Sequence, residues 1–220
     1  MSDIDQVMTS IKEEVQQERP KTNKILSILN DLRSKGEFTD SEFTEIVGKT
    51  FELNPEYFMK HLNSGFRKKM ARLLGDQKLN EMDKDLMEKF YFLEGEQILF
   101  ECKGKVVQNR RWAQPILFAS ANIFVTNFRI IVQGKLKGPY AKYIQEEIPS
   151  YGYIFPVENL FRLRKGRSDI RYRVMVENLP SEILIKLPLG ESQAHRDEKL
   201  NKIYEILSKK ETKEVKMENV

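Results

Sequence analysis

Arginine and lysine, rather than any catalytic combination, are the residues whose spacing stands out in this 220-residue chain. Arg162, Arg164, Lys165, Arg167, Arg171 and Arg173 lie close together, interrupted only by the carboxylate of Asp169. The Arg-x-Arg spacing occurs twice, and alternation along a strand puts Arg162 and Arg164 on one face, and Arg171 and Arg173 likewise on the next. A second group comprises Lys103, Lys105, Arg110 and Arg111, followed by Trp112. Guanidinium forks and ammonium point charges suit phosphate oxygens, and an indole beside them suits a lipid–water interface. Residues 102–175 hold 14 basic side chains against 4 acidic ones, although the whole chain is only +4. So segregated a charge favours polyanionic partners: lipid heads, nucleic acid or acidic proteins. The competing interpretation is a solvated sheet face whose charges keep edge strands apart.

Other chemistry finds little material. Cys102 is the single cysteine, so no internal disulfide can form, and a four-cysteine zinc site is excluded. Cys102 alternates with Ile98 and Phe100, which marks it as a core residue rather than a nucleophile. His61 and His195 fall on separate helical patterns without an evident partner. Gly104-Lys105 lacks the rest of a phosphate-binding loop, and no nucleophile elbow is present. The chain is therefore expected to be no enzyme and to need no cofactor and no metal. The longest apolar run, 115–125, contains Asn122 and falls well short of the roughly 20 residues that a spanning helix needs. The acidic, polar start is no secretory signal. A soluble, cytoplasmic chain, at most peripheral to a membrane, is expected.

Two kinds of element must position these charges. Residues 1–21 read as a flexible leader, a frayed helix or disordered stretch closed by Arg19-Pro20. Ile25, Leu26, Ile28, Leu29 and Leu32 then recur at helical spacing up to Gly36, a left-handed cap. Thr39 with Glu42 forms a capping-box pattern ahead of Phe43, Ile46 and Val47. A third helix opens at Asn54-Pro55 and carries Phe58, Leu62, Phe66, Met70 and Leu73 on one stripe as far as Gly75. Its basic flank suits a membrane surface or a partner, though burial of the stripe against neighbouring helices is the simpler reading. A fourth helix is expected around Met82–Phe92. From Glu96 the period changes to two, and strands are expected from Ile98, over 115–125 and 129–135, and near residues 153, 160, 171 and 182. Asn127 suits a positive-φ hairpin turn, and Gly134 with Gly138-Pro139 marks another. Leu200, Ile203, Tyr204 and Leu207 share one face of a closing helix, and the tail from 210 reads as disordered.

Two stretches carry a resemblance. Leu93-Glu94-Gly95-Glu96-Gln97-Ile98-Leu99-Phe100 resembles the opening of GRAM and bacterial PH-like domains, and Ile123-Phe124-Val125-Thr126-Asn127-Phe128-Arg129-Ile130-Ile131 is similar to their Thr-Asn-x-Arg hairpin. The resemblance implies an α+β chain: a helical N-terminal region, then a seven-stranded antiparallel barrel over 92–209 plugged by its C-terminal helix. It also implies anion-binding residues flanking the loop between the first two strands, the place of Lys103, Lys105, Arg110, Arg111 and Trp112. Their Arg-Arg-Trp order departs from the family's basic-x-Arg, so stereospecific inositol phosphate recognition is not expected. Ser120-Ala121-Asn122 stands where the family has glycine, and the insertion around Tyr140–Tyr153 has the length of a lid-like loop. In the helical region, 22–91, the hairpin over 22–50 resembles the SHOCT motif through Leu29, Leu32, Gly36, Phe38, Asp40 and Phe43.

The function expected is a non-enzymatic, membrane-proximal adaptor that contacts anionic membrane lipid weakly through its basic surface and a protein partner, or a second copy of itself, through its helices. The alternative is a protein-interaction module that binds peptide, GTPase or ubiquitin, or self-associates, without membrane contact. Nucleic acid is a weaker candidate, because Phe and Tyr sit inside alternating strand patterns rather than on a stacking platform.

Overall fold

The computed structural model describes residues 3–17, 20–62, 65–110, 115–138, 141, 151–176 and 179–211. The chain divides into two compact units, Met1–Leu93 and Glu94–Val220. The first is helical; the second is a seven-stranded antiparallel sheet followed by a helix, so the chain is α+β.

The helical unit contains α1 (Asp3–Val15), α2 (Thr22–Lys35), α3 (Asp40–Leu53), α4 (Pro55–Leu62), α5 (Gly65–Leu74) and α6 (Asp76–Phe90). The expected leader is in fact a packed helix. Ile11 and Val15, four apart, are buried, and α1 lies on α2 and α3. The buried carboxylate of Glu14 binds Lys24 at 2.6 Å and accepts from the Lys21 amide at 3.3 Å, which fixes the turn into α2. Helix α2 ends on Gly36 at φ 68°, where a side chain would clash with its own backbone. Thr39 and Glu42 form the reciprocal capping box that starts α3. The single helix expected from Pro55 to Gly75 is two helices, α4 and α5. Phe51, Phe58 and Phe66 stack through the centre, with ring centroids 4.8 and 6.2 Å apart.

The second unit contains β1 (Ile98–Arg110), β2 (Ile116–Thr126), β3 (Arg129–Lys137), β4 (Tyr153–Pro156), β5 (Phe161–Lys165), β6 (Asp169–Val176), β7 (Leu179–Lys186) and α7 (Gln193–Ser208). The order is β4-β3-β2-β1-β7-β6-β5, every pair antiparallel. Two meanders are thus joined by the pairing of β1 with β7. Strands β4 and β5 are the edges, and among the described residues no ladder joins them. Inward alternation buries Val106, Phe118, Ile123, Tyr172, Ile183 and Ile185, and α7 lays Leu200, Ile203 and Leu207 onto the same core. Gly134 is not a turn residue. It lies inside β3 against a β2 irregularity, where a Cβ would come within 2.8 Å of the Ala121 Cβ and the Ser120 carbonyl oxygen. The expected lid-like loop at Tyr140–Tyr153 falls almost entirely outside the described residues, as does the tail beyond Glu211.

Candidate functional site

The residues most characteristic in sequence turn out to hold the sheet together. Glu96 is fully buried, and Arg129 meets it with a two-pronged hydrogen bond, Nε to Oε1 and Nη2 to Oε2, both at 2.9 Å. Thr126 Oγ1 donates to the same Glu96 at 2.8 Å while accepting from the amides of Phe128 and Arg129. Asn127 does not take the positive φ expected of it; among described non-glycine residues, only Asn159 and Arg162 do. Instead its amide clasps the opening loop, donating to the Gly95 carbonyl and accepting from the Gln97 amide, each at 2.8 Å. The hydroxyl of Thr126 supplies the turn geometry that Asn127 does not. Arg129 is thereby committed to a buried partner rather than to an outside anion.

Members of the two basic groups come together elsewhere, on the outward face of β1, β7, β6 and β5. Burial alternates along these strands, so Lys105, Leu184, Lys186, Arg171 and Arg173 point away from the core that holds Val106, Ile185 and Tyr172. Register makes them neighbours. Lys105 lies opposite Lys186, which lies opposite Asp169; Val107, Leu184, Arg171 and Arg164 form the next row; Asn109, Glu182, Arg173 and Phe161 form the third. Five cations (Lys105, Lys186, Arg164, Arg171, Arg173) therefore surround half-buried Val107 and Leu184, with Asp169 and Glu182 as the carboxylates among them.

The cations are not equally committed. Arg171 reaches Asp169 through two contacts at 3.4 Å, and Arg173 stands 3.9 Å from Glu182. Lys103, Lys105, Lys186 and Arg164 make no ion pair among the described residues, and all but half-buried Lys186 are well exposed. Lys103 sits further along β1, opposite Asn122 of β2. Lys103 and Lys105 thus occupy the strand itself rather than the loop after it, because β1 runs on to Arg110. Arg110 lies opposite Ser181 at the far end and, with Asn109, Arg173, Pro180 and Glu182, lines a cleft of about 430 Å³. Arg162 is exposed at φ 53°, where the β5–β6 register slips, so its strand alternation with Arg164 is interrupted by a bulge. Arg111 and Trp112 lie outside the described residues. Lys186 is the member that the sequence reading passed over; its signal was the alternation of Ile183 and Ile185 with Glu182, Leu184 and Lys186.

The remaining candidates do different work. Burial pushes the Cys102 thiol up to about 12, far from thiolate chemistry. His61 contacts the carbonyl of Tyr57 at 2.8 Å and stacks on its ring; His195 faces Glu198 on the exposed side of α7. Among the described residues no group of three or more His, Cys, Asp or Glu is arranged to hold a metal ion, and no helix is long and apolar enough to cross a membrane. In the helical unit a groove of about 260 Å³ runs between α3 and α6, floored by Gly48, Phe51, Met82 and Leu86 and closed at one side by the 2.7 Å pair of Lys89 with Glu52. No protein-family model matches the chain, and no curated protein matches it either.

Proposed function

We propose that this protein is a non-enzymatic, membrane-proximal adaptor whose second unit is a PH/GRAM-like domain that contacts anionic lipid, while the helical unit binds protein. The observation that carries the reading is the convergence, across β7, of Lys105 with Arg164, Arg171 and Arg173, far apart in sequence, onto one sheet face. Two antiparallel meanders joined through β1 and β7, with a C-terminal helix in the core, support the PH/GRAM-like assignment. Each exposed cation near an anionic bilayer contributes about 1 kcal/mol. With Arg171 and Arg173 partly occupied by Asp169 and Glu182, the attachment is weak, salt-sensitive and dependent on a second contact. Cosedimentation with phosphatidylserine vesicles tests it: retention at low salt and release at high salt are expected. Equal recovery with neutral vesicles contradicts it.

A second reading rests on the α3–α6 groove, which gives the helical unit a place to receive a protein without any membrane. Under that reading charge reversal at Arg164 and Arg171 leaves partner capture intact, and filling the groove with Gly48→Trp abolishes it.

A further inference from the structure

We propose that Leu189 is a membrane-insertion residue: the Pro188-Leu189-Gly190 tip after β7 enters the acyl region of an anionic bilayer while the cations around it hold the headgroups. The inference rests on the lipid-binding reading above and goes further by naming the contact that makes attachment more than electrostatic.

Leu189 is 70% exposed, more than the other outlying apolar side chains among the described residues, Leu93 (54%), Leu99, Phe90 and Met175. Two residues earlier Leu187 is 1% exposed, so the chain turns one leucine in and presents the next to solvent. A single exposed leucine is ordinary on a protein surface. This one differs in how it is held and what stands beside it. Arg196 Nη1 donates to the Leu189 carbonyl at 2.9 Å, which ties the tip down to α7. The Leu187 amide donates to the Ser168 carbonyl at 3.3 Å, and Arg167 donates to Gln193 at 3.2 Å, binding the tip's two flanks to the β5–β6 turn. The leucine is therefore displayed on a fixed support, so little ordering is needed when it enters another phase.

Charge follows the same placement. Lys186 precedes the tip by three residues with Lys105 opposite it, and Arg167 is drawn in by Gln193. The nearest carboxylate in sequence, Glu191, is held by Lys199 at 2.8 and 2.9 Å, which removes its repulsion from an anionic surface. An apolar residue projecting among cations matches a bilayer, with hydrocarbon below and phosphate at the rim. A folded protein partner would instead need a pocket complementary to one leucine.

The test uses the full chain. Cys102, the single cysteine, is buried, so a Leu189→Cys variant takes an environment-sensitive fluorophore at the tip alone. Glu158→Cys, exposed in the β4–β5 connection at the opposite end of β5, is the control. With phosphatidylserine vesicles at low salt, the label at 189 is expected to shift to the blue and the label at 158 to stay unchanged. Unlabelled Leu189→Ala should partition about tenfold more weakly while keeping its salt dependence. If the unlabelled parent cosediments but the 189 label keeps its aqueous emission, or Leu189→Ala binds as well as the parent, insertion is refuted and the lipid-binding reading survives. If the parent fails to cosediment under any salt condition, both fall together.

Discussion

Charge at single residues divides into two roles, and mutation separates them. Glu96 and Arg129 form a buried pair whose value is structural. Removing one partner leaves an uncompensated charge in the sheet, so Arg129→Met should cost about 3 kcal/mol in urea denaturation. Arg129→Lys keeps the charge but loses the fork, and should recover only part of that stability. Outward charges behave differently. Glu182 is 33% exposed and stands opposite both Asn109 and Arg173, where it competes with any arriving anion. Glu182→Gln is expected to leave stability within about 0.5 kcal/mol and to tighten vesicle binding. Unchanged binding in that variant would mean that the Arg173 end of the face takes no part. Little of this division was legible in the sequence. Arg129 and Arg164 have the same side chain, and only the fold tells that one faces Glu96 and the other solvent.

Elements were read most reliably where one local rule decides the outcome. Gly36 and the Thr39–Glu42 box end and start helices by local backbone chemistry, and both occur where the pattern put them. Gly36→Ala, forced into the left-handed region, should cost about 1 kcal/mol, and Thr39→Ala a similar amount, read as lowered thermal midpoints. Hydrogen bonds from the Thr39 amide and hydroxyl hold the Glu42 carboxyl below its ordinary 4.5, as the Lys24 hydrogen bond does for Glu14. An acid whose folded pKa is depressed stabilises the fold when ionised. That contribution is complete above 4.5 and disappears as pH falls through the lowered folded value. Acid titration of the thermal midpoint should show this loss, and Glu42→Gln should flatten part of the slope. Reading was poorer where packing overrides local pattern. Helix α1 has little intrinsic appeal until Ile11 and Val15 find α2 and α3, and Gly134 looks like a turn until Ala121 is seen against it. The closing helix was legible because Leu200, Ile203 and Leu207 repeat at helical spacing; Ile203→Ala should cost about 2–4 kcal/mol through the cavity it leaves.

Over the whole molecule, what matters is that residues some eighty positions apart in sequence, such as Lys105 and Lys186, become direct neighbours through the pairing of β1 with β7. Strand order cannot be derived from alternation alone, which is why the sequence indicated two basic groups but not the face that Lys105 shares with Arg164, Arg171 and Arg173. Long-range charge of this kind is screened over about 10 Å at 0.1 M salt, so attachment should fade across the range in which Lys105, Lys186 and Arg164 act together. The decisive measurement is vesicle cosedimentation of the parent beside a Lys105→Glu/Lys186→Glu/Arg164→Glu variant, at low salt, with circular dichroism to show that the variant is folded. Binding of the parent to phosphatidylserine vesicles and its loss in the folded variant is the predicted result. Undiminished binding of the variant would contradict the assignment of this sheet face as the lipid contact.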